Sequence, residues 1–425
     1  MIKLVLSRAT CALGAGLFLV ACSGDDTVVP TDAGARDASF DATPFPDAGG
    51  SDTSMQVDAP HEAADAPSEA SAADCLTASG ADAFFTLDDA TKCVVGVHTV
   101  AATSLSSLTW GRHNGPLGFR SGASLKLVRY AVPSTAMGAL TPTSTTLTVS
   151  GVPGSAFWGS QALDFPFFPS LSWTAIAYTG SGAGFPGEVV IVDANGAVAK
   201  RYNVNGFFAE TAVGVASSGG RLLYTGLSPI MTSAASTSAG GLYAADSCGT
   251  ATTNPRLFPE GDTTCNDPIK VDSWQAGSSG PVAADADGNV FAILSTFGGM
   301  QELRGFEHDV VARGSAAIAG TPLFAITGYT SELAADGASA YFQSNDPNTF
   351  TALDVQRIKY TTNATAKTIA PSGALSTFLT MKTTGTSVAL IVDGQRRLWV
   401  GVTNPGVGDA GSTTSTFFVI RDKNP

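Results

Sequence analysis

Few residues in this chain could carry chemistry, and they fall in a handful of places. Asp285, Asp287 and Asn289 alternate within Ala-Asp-Ala-Asp-Gly-Asn-Val. These residue types are what a tight hairpin needs. Arg304-Gly-Phe-Glu-His-Asp309 brings Glu307, His308 and Asp309 into one connection, and Trp110-Gly-Arg-His-Asn-Gly115 sets an aromatic plane beside Arg112, His113 and Asn114. Solvated loop residues are the plain reading of both. An acid–base role needs a shielded pocket and a shifted pKa. The most unusual segment is Phe157-Trp158…Asp164-Phe-Pro-Phe-Phe-Pro169. Its rings (Trp158, Phe165, Phe167, Phe168) either seal a gap in a core or, with Asp164, stack a sugar or a peptide. Aromatics among prolines suit neither a long strand nor a helix.

Several reaction classes lack their signatures. There is no Gly-x-Ser-x-Gly elbow, no His-Glu-x-x-His, no P-loop and no Rossmann glycine pattern. From residue 75 on, the histidines are His98, His113 and His308, too few for a multi-histidine metal centre.

The leader gives an address. Lys3 and Arg8 precede Ala9–Ala21, a run of apolar and small residues long enough for a secretion channel and short for a bilayer. Leu19-Val20-Ala21-Cys22 resembles the lipobox of bacterial lipoproteins. The resemblance implies cleavage after residue 21 and a lipid on Cys22; an ordinary signal peptide and a membrane-spanning anchor are the alternatives. Ser23, where such proteins often carry Asp for inner-membrane retention, points to the outer membrane of a bacterial envelope.

Residues 23–74 carry twelve carboxylates and one Arg, with Asp-Ala recurring at 32, 37, 41, 47, 58 and 65. So little apolar surface cannot offset the entropy of ordering, and residues 22–74 are expected to be a disordered acidic tether. A flexible coil of that length spans ~40 Å or more. From Cys75 onward, 20 basic and 24 acidic residues nearly balance. The acidity thus belongs to the tether, which argues against nucleic acid or anionic lipid as a partner.

Four cysteines remain in the exported part: Cys75, Cys93, Cys248 and Cys265. An even number in an oxidising compartment reads as disulfides. Three pairings are possible. The local one, Cys75–Cys93 with Cys248–Cys265, is expected, each bond contributing on the order of 3 kcal/mol through loop closure.

Residues 75–425 read as β throughout, because β-branched and aromatic residues alternate in short runs bounded by Gly, Asn, Asp and Pro. One phrase recurs: a small-residue strand, a polar turn, then a stronger apolar strand. Its clearest copy is 281–294, with Asp287-Gly288-Asn289 expected to make a two-residue hairpin. Gly219-Gly220, Asp336-Gly337 and Asp393-Gly394 mark the other copies, and Asn195-Gly196 a further hairpin. The strong strands begin near 222, 290, 340 and 398, steps close to the length of a four-stranded propeller blade plus insertions. The phrase Ala-x-Asp-Gly-Asn-Val-Phe resembles inner hairpins of bacterial lactonase-like and NHL-type β-propellers, in which lactonase-like members hold a divalent metal on carboxylates and Asn.

The expectation is therefore all-β: a single β-propeller of six, or seven, four-stranded blades, with tandem β-sandwiches as the alternative. Val94–Val100 and Ser415–Arg421 are expected to share the blade that closes the ring. The expected function is non-enzymatic: an envelope lipoprotein, held in the membrane through Cys22, whose propeller face binds a protein, peptide or glycan, with no cofactor. The alternative is a metal-dependent propeller hydrolase or lactonase, using a divalent metal such as calcium at Asp285, Asp287 and Asn289.

Overall fold

The computed structural model describes residues 75–100, 126–128, 130, 136–142, 147–149, 158–164, 173–179, 187–203, 215–218, 221–226, 239–245, 269–275, 279–295, 300–308, 321–327, 329–345, 352–382, 388–403 and 415–423. The leader with Cys22, the tether, Trp110, Arg112, His113, Phe165, Phe167, Phe168, Cys248 and Cys265 lie outside these residues, so the expectations placed on them are not addressed by it.

A 3-10 turn at Ala81–Ala83 leads into β1 (Phe85–Leu87) and β2 (Lys92–Val100). The small strands β3 (Lys126–Leu127), β4 (Met137–Ala139) and β5 (Leu147–Thr148) follow. Next come three four-stranded antiparallel meanders. Blade 1 is β6 (Trp158–Asp164), β7 (Thr174–Thr179), β8 (Gly187–Val192) and β9 (Val198–Asn203). Blade 2 is β10 (Val215–Ser218), β11 (Arg221–Gly226), β12 (Ala239–Ala245) and β13 (Ile269–Gln275). Blade 3 is β14 (Ser279–Ala284), β15 (Val290–Ser295), β16 (Met300–Phe306) and β17 (Thr321–Thr327). Blade 4 takes β18 (Tyr329–Ala335), β19 (Ser339–Asn345), β20 (Ala352–Asn363) and β22 (Ser376–Met381), with β21 (Thr368–Pro371) paired to the outer part of β20. Blade 5 takes β23 (Val388–Val392), β24 (Leu398–Thr403) and β25 (Ser415–Asp422), then β2 from the other end of the chain.

The first strands meet in sequence: β6 touches β10, β10 touches β14, β14 touches β18 and β18 touches β23, while β6 also reaches β14 and β18. First strands gathered about one axis, with each sheet radiating outward, make a β-propeller. Among the described residues five blades have four or more strands. The region 105–150, expected to form another, contributes the two-stranded β3–β5 sheet and β4, which pairs in parallel with β2. The strong strands expected near 222, 290, 340 and 398 are the second strands of blades 2 to 5.

Each blade is buried on both faces, so a strand's alternate side chains serve different seams. On β15, Val290 and Ala292 pack toward blade 2 with Leu223 and Val271. Phe291 and Ile293 pack toward blade 4 with Leu333 and Phe342. On β25, Phe418 and Ile420 join the seam with blade 4, and Phe417 and Val419 join a cluster with Val128, Tyr130 and Leu140. The β20–β21 hairpin leans onto blade 3, where Ile369 lies so close that a Cβ on Gly305 would meet it at 3.2 Å. A side chain at Gly305 would require Ile369 and Leu323 to give by a few tenths of an ångström.

The ring closes as its ends suggested. β2 pairs antiparallel with β25 from Lys92↔Asp422 to Val100↔Ser415. The N-terminal segment also reaches blade 4, because β1 pairs with β22 at that sheet's outer edge. Cys75 is bonded to Cys93 with Cα atoms 5.7 Å apart, the local pairing expected for these two.

The aromatic run 157–169 is expected to suit no long strand or helix; its part Trp158–Asp164 forms the seven-residue β6, paired with β7 from Trp158↔Thr179 to Asp164↔Thr174, and residues 165–169 lie outside the described residues. Pro166 and Pro169 lie beyond Asp164 in the sequence. One local expectation needs correction. The Asp287-Gly288 turn is not a two-residue hairpin. Ala284↔Val290 is the last strand pair, the Asp285 N–H donates to the Asn289 carbonyl and the Gly288 N–H to that of Asp285. Only Gly288 there has positive φ, at 85°. That is a three-residue loop ending in a left-handed residue. Asp193–Ala197 and Asp393–Arg397 repeat it, the latter with Arg396 at φ 59° where the others have glycine, so Gly394 is not the residue that bends the chain. Asp336–Ser339 is a two-residue loop, with Gly337 at φ 95°.

Candidate functional site

The recurring phrase places one aspartate at the same point of blades 3, 4 and 5, where the first strand turns into the second. Asp285, Asp336 and Asp393 are all buried. Each directs Oδ1 into its own turn. Asp285 Oδ1 accepts from the N–H groups of Asp287 and Asn289, both at 2.9 Å. Asp336 Oδ1 accepts from Ala338 (2.9 Å) and Ser339 (2.7 Å), and Asp393 Oδ1 from Gln395 (2.9 Å) and Arg397 (3.0 Å).

Each directs Oδ2 toward an aromatic donor. Trp399 Nε1 donates to Asp393 at 2.9 Å and Tyr341 Oη to Asp336 at 2.7 Å. Phe291 occupies the matching place in blade 3 and has no polar hydrogen to give. Tyr360 of blade 4 supplies it instead, donating to Asp285 Oδ2 at 2.7 Å, its ring 4.6 Å from that of Phe291. Burial first, then the neighbouring carboxylate, pushes the Tyr341 and Tyr360 phenols far above the usual tyrosine range. Both therefore remain donors at any pH the fold meets.

Acceptor arithmetic decides what these carboxylates can do. Asn289 Nδ2 also donates to Asp285 Oδ2 at 2.8 Å, and Arg397 Nε to Asp393 Oδ2 at 2.6 Å. Asp285 and Asp393 thus accept four hydrogen bonds each, which fills the four lone-pair sites of a carboxylate. A cation could enter Asp285 only by breaking one of them. The three residues expected as candidate metal ligands are held to separate tasks. Asp285 clamps its turn, Asn289 Oδ1 accepts the His308 N–H at 3.3 Å, and Asp287 Oδ1 accepts from Arg396 Nη2 at 2.8 Å. Among the described residues no group of three or more His, Cys, Asp or Glu side chains gathers as metal ligands do.

The Asp287–Arg396 pair crosses blade 4. A Cβ on Gly337 would meet Arg396 Nη1 at 3.1 Å and Asp287 Oδ2 at 3.3 Å, so the guanidinium lies over that glycine and ties three turns together. Both partners are about half exposed, which keeps the pair's contribution small. In the next connection Glu307 is fully buried, with Oε1 2.8 Å from Nδ1 of the half-exposed His308.

Polar residues also fasten the N-terminal segment. Arg357 of β20 donates to Asp89 Oδ2, and Thr91 donates to Asp89 Oδ1 from its N–H (2.8 Å) and hydroxyl (2.6 Å). Burial works to raise the Asp89 pKa, but these bonds outweigh it and hold the carboxyl well below the usual range. Lys92 Nζ lies 3.2 Å from Asp422 and 3.8 Å from Asp336.

His98 of β2 is 2% exposed, stacks on Trp399 with ring centroids 5.6 Å apart, and has no partner at Nδ1. Burial lowers its pKa below 6.5; a hydrogen bond with the Gly138 backbone opposes this and the charge of Arg397 adds to it. The sign follows. Below pH 6.5 the unfolded chain takes up a proton that the native imidazole resists, so stability is full above that pH and falls beneath it. The fall approaches at most about 1.4 kcal/mol per pH unit. Asp285, raised chiefly by burial, works the other way. Denaturant melts between about pH 5 and 7 should show the acid loss in the native chain, and a flatter profile in His98→Gln.

Of the residues singled out as a ligand platform, Trp158 and Asp164 lie on β6, the first strand of blade 1. Sequence reading did not find the clamp donors. Tyr341 and Trp399 follow their aspartates by five and six residues, a local signal that was available. Tyr360 lies 75 residues from Asp285, and nothing local points to it.

No known protein family matches the sequence, and no curated protein sequence does. Solved structures do resemble it. The PQQ-bound form of an aldose sugar dehydrogenase from Streptomyces coelicolor aligns with a TM-score of 0.46 at 14% identity, covering 78% of this chain and 98% of that one. The apo form of a soluble aldose sugar dehydrogenase from Escherichia coli aligns at 0.42 and 10%, covering 77% and 99%. A putative 6-phosphogluconolactonase from Bacteroides uniformis aligns at 0.37 and 10%, covering 68% and 76%.

Proposed function

We propose that the chain is an envelope lipoprotein, anchored in the outer membrane through lipidated Cys22, that presents its propeller on an acidic tether to bind a protein, peptide or glycan. The observation that carries the presenting role is the junction at Cys75. There Cys75 is bonded to Cys93 and the Leu76 N–H donates to the Val94 carbonyl at 2.8 Å. A domain hung from its N-terminus needs its first residues fixed, and these are.

The binding face is the end of the ring where first strands turn into second strands. Short turns clamped by Asp285, Asp336 and Asp393 make it rigid, and rigid scaffolds are where binding loops are carried. Phe165, Phe167 and Phe168, which follow Asp164 at the end of β6 in the sequence, are the rings proposed to bind. The alternative, a metal-dependent hydrolase, would need a carboxylate with free lone pairs, and the four donors on Asp285 speak against that residue.

Cell fractionation tests the anchor. The native chain is expected in the membrane fraction and Cys22→Ala in the soluble exported fraction, with unchanged melting of the propeller. Equal partition of the two would remove the anchor from the proposal.

A further inference from the structure

Cys75 is bonded through sulfur to Cys93, 18 positions on. The loop so closed contains the 3-10 turn and β1. β1 is three residues long and lies at the outer edge of blade 4, paired only as Phe85↔Met381, Thr86↔Thr380 and Leu87↔Leu379. Cys93 belongs to a different kind of strand. β2 has nine residues, is paired with β25 from Lys92 to Val100 and has β4 on its other side at Val97–Thr99.

A pull on the chain ahead of Cys75 meets two routes at that residue. The peptide route leads into the loop and loads the edge strand β1 first. The sulfur route leads directly into β2. The sulfur route spans Cα atoms 5.7 Å apart, whereas the loop would have to stretch toward roughly 60 Å before its backbone became taut. While the bond is intact the loop therefore carries no load.

We infer that the Cys75–Cys93 bond is a mechanical bypass, which leads tension from the N-terminal chain past the weak three-residue strand β1 and into the nine-residue strand β2, laddered to β25 along its length. The tethered reading supplies the source of the tension; the load path itself follows from the connectivity of the ring. With the bond open, β1 becomes the first element to yield. The segment 76–92 then peels from blade 4, losing the Arg357–Asp89 contact and the bond that Lys382 Nζ donates to the Asp82 carbonyl at 2.7 Å.

Single-molecule force spectroscopy tests this on the chain from residue 22 to residue 425, pulled between its ends. With the bond intact, the first resisted event after residues 22–74 have extended is expected to be the opening of blade 5. Cys75→Ser/Cys93→Ser should add an earlier and weaker event that lengthens the chain by about 60 Å, or 18 residues at ~3.5 Å each. This variant leaves Cys248 and Cys265 as they are. If it does not fold, the native protein is pulled before and after treatment with a dithiol. The dithiol's two thiols lose their hydrogens to form its own disulfide, and Cys75 and Cys93 become thiols. An identical first event with the bond intact and open, or a 60 Å event in the oxidised native chain, overturns the inference. A failure of membrane anchoring would appear in fractionation alone and leaves this result untouched.

Discussion

A chain truncated after residue 414 will not form the ring. The truncation removes β25, the strand that lies between β24 and β2 and joins the two ends of the chain in one sheet. Phe417, Phe418, Val419 and Ile420 are each 2% exposed or less and fill both seams of blade 5. Losing one buried Phe alone costs about 3–5 kcal/mol. Losing all four side chains and two hydrogen-bonded ladders exceeds the 5–15 kcal/mol that separates a typical domain from its unfolded state. The edges of β24 and β2 would both be left open to pair between molecules. The truncated chain is expected in the insoluble fraction, and any soluble part should lack a cooperative melt. A soluble protein melting near the native temperature would show that blade 5 closes without its C-terminal strand.

Asp393→Ala will be the most damaging single substitution at the turn end, costing about 3–5 kcal/mol. Asp393 is 3% exposed and accepts from two backbone N–H groups, the Arg397 guanidinium and the Trp399 indole. Removing the carboxylate leaves those donors with nothing to accept them, and an unmet buried donor costs about 1–3 kcal/mol, more where charge is involved. Arg397 keeps part of its side chain in water and recovers some of this, whereas Trp399 is 1% exposed and cannot. Asp393→Asn keeps the shape and one acceptor oxygen but turns an amide toward Arg397, so it should fall between the native protein and the alanine variant. Equilibrium denaturation measures both. A loss under about 1 kcal/mol for Asp393→Ala would mean that the clamp does not hold the turn.

How much of this was legible in the sequence depended on distance along the chain. The second strands of blades 2 to 5 were readable because a small strand, a polar turn and a β-branched strand are local signals. The partnership of Val94–Val100 with Ser415–Arg421 was readable because two unpaired strand-like ends in a ring have one another as partners. Turn geometry was misjudged at Asp287 and Asp393, since Gly288 and Arg396 each close a three-residue loop where a shorter one was expected. The strand at Trp158–Asp164 was not separated from the run to Pro169, because the aromatic run was read as one segment in which prolines forbid a long strand or a helix. The assignment of Asp285 was the least legible. Its oxygens look available in Ala-Asp-Ala-Asp-Gly-Asn, and the donor that completes its set, Tyr360, comes from the next blade.

The central claim is that the aspartates of the recurring phrase hold the ring together and leave recognition to the connections above them. Melting of the purified chain with a calcium chelator and with saturating calcium tests it most directly. A cation bound at 100 times its Kd would stabilise the native state by about 2.7 kcal/mol and raise the melting temperature by several degrees. The filled acceptor sets of Asp285 and Asp393 predict coincident melts in the two conditions. A calcium-dependent rise that chelator reverses and Asp285→Asn abolishes would contradict the claim and make the turn end a metal site.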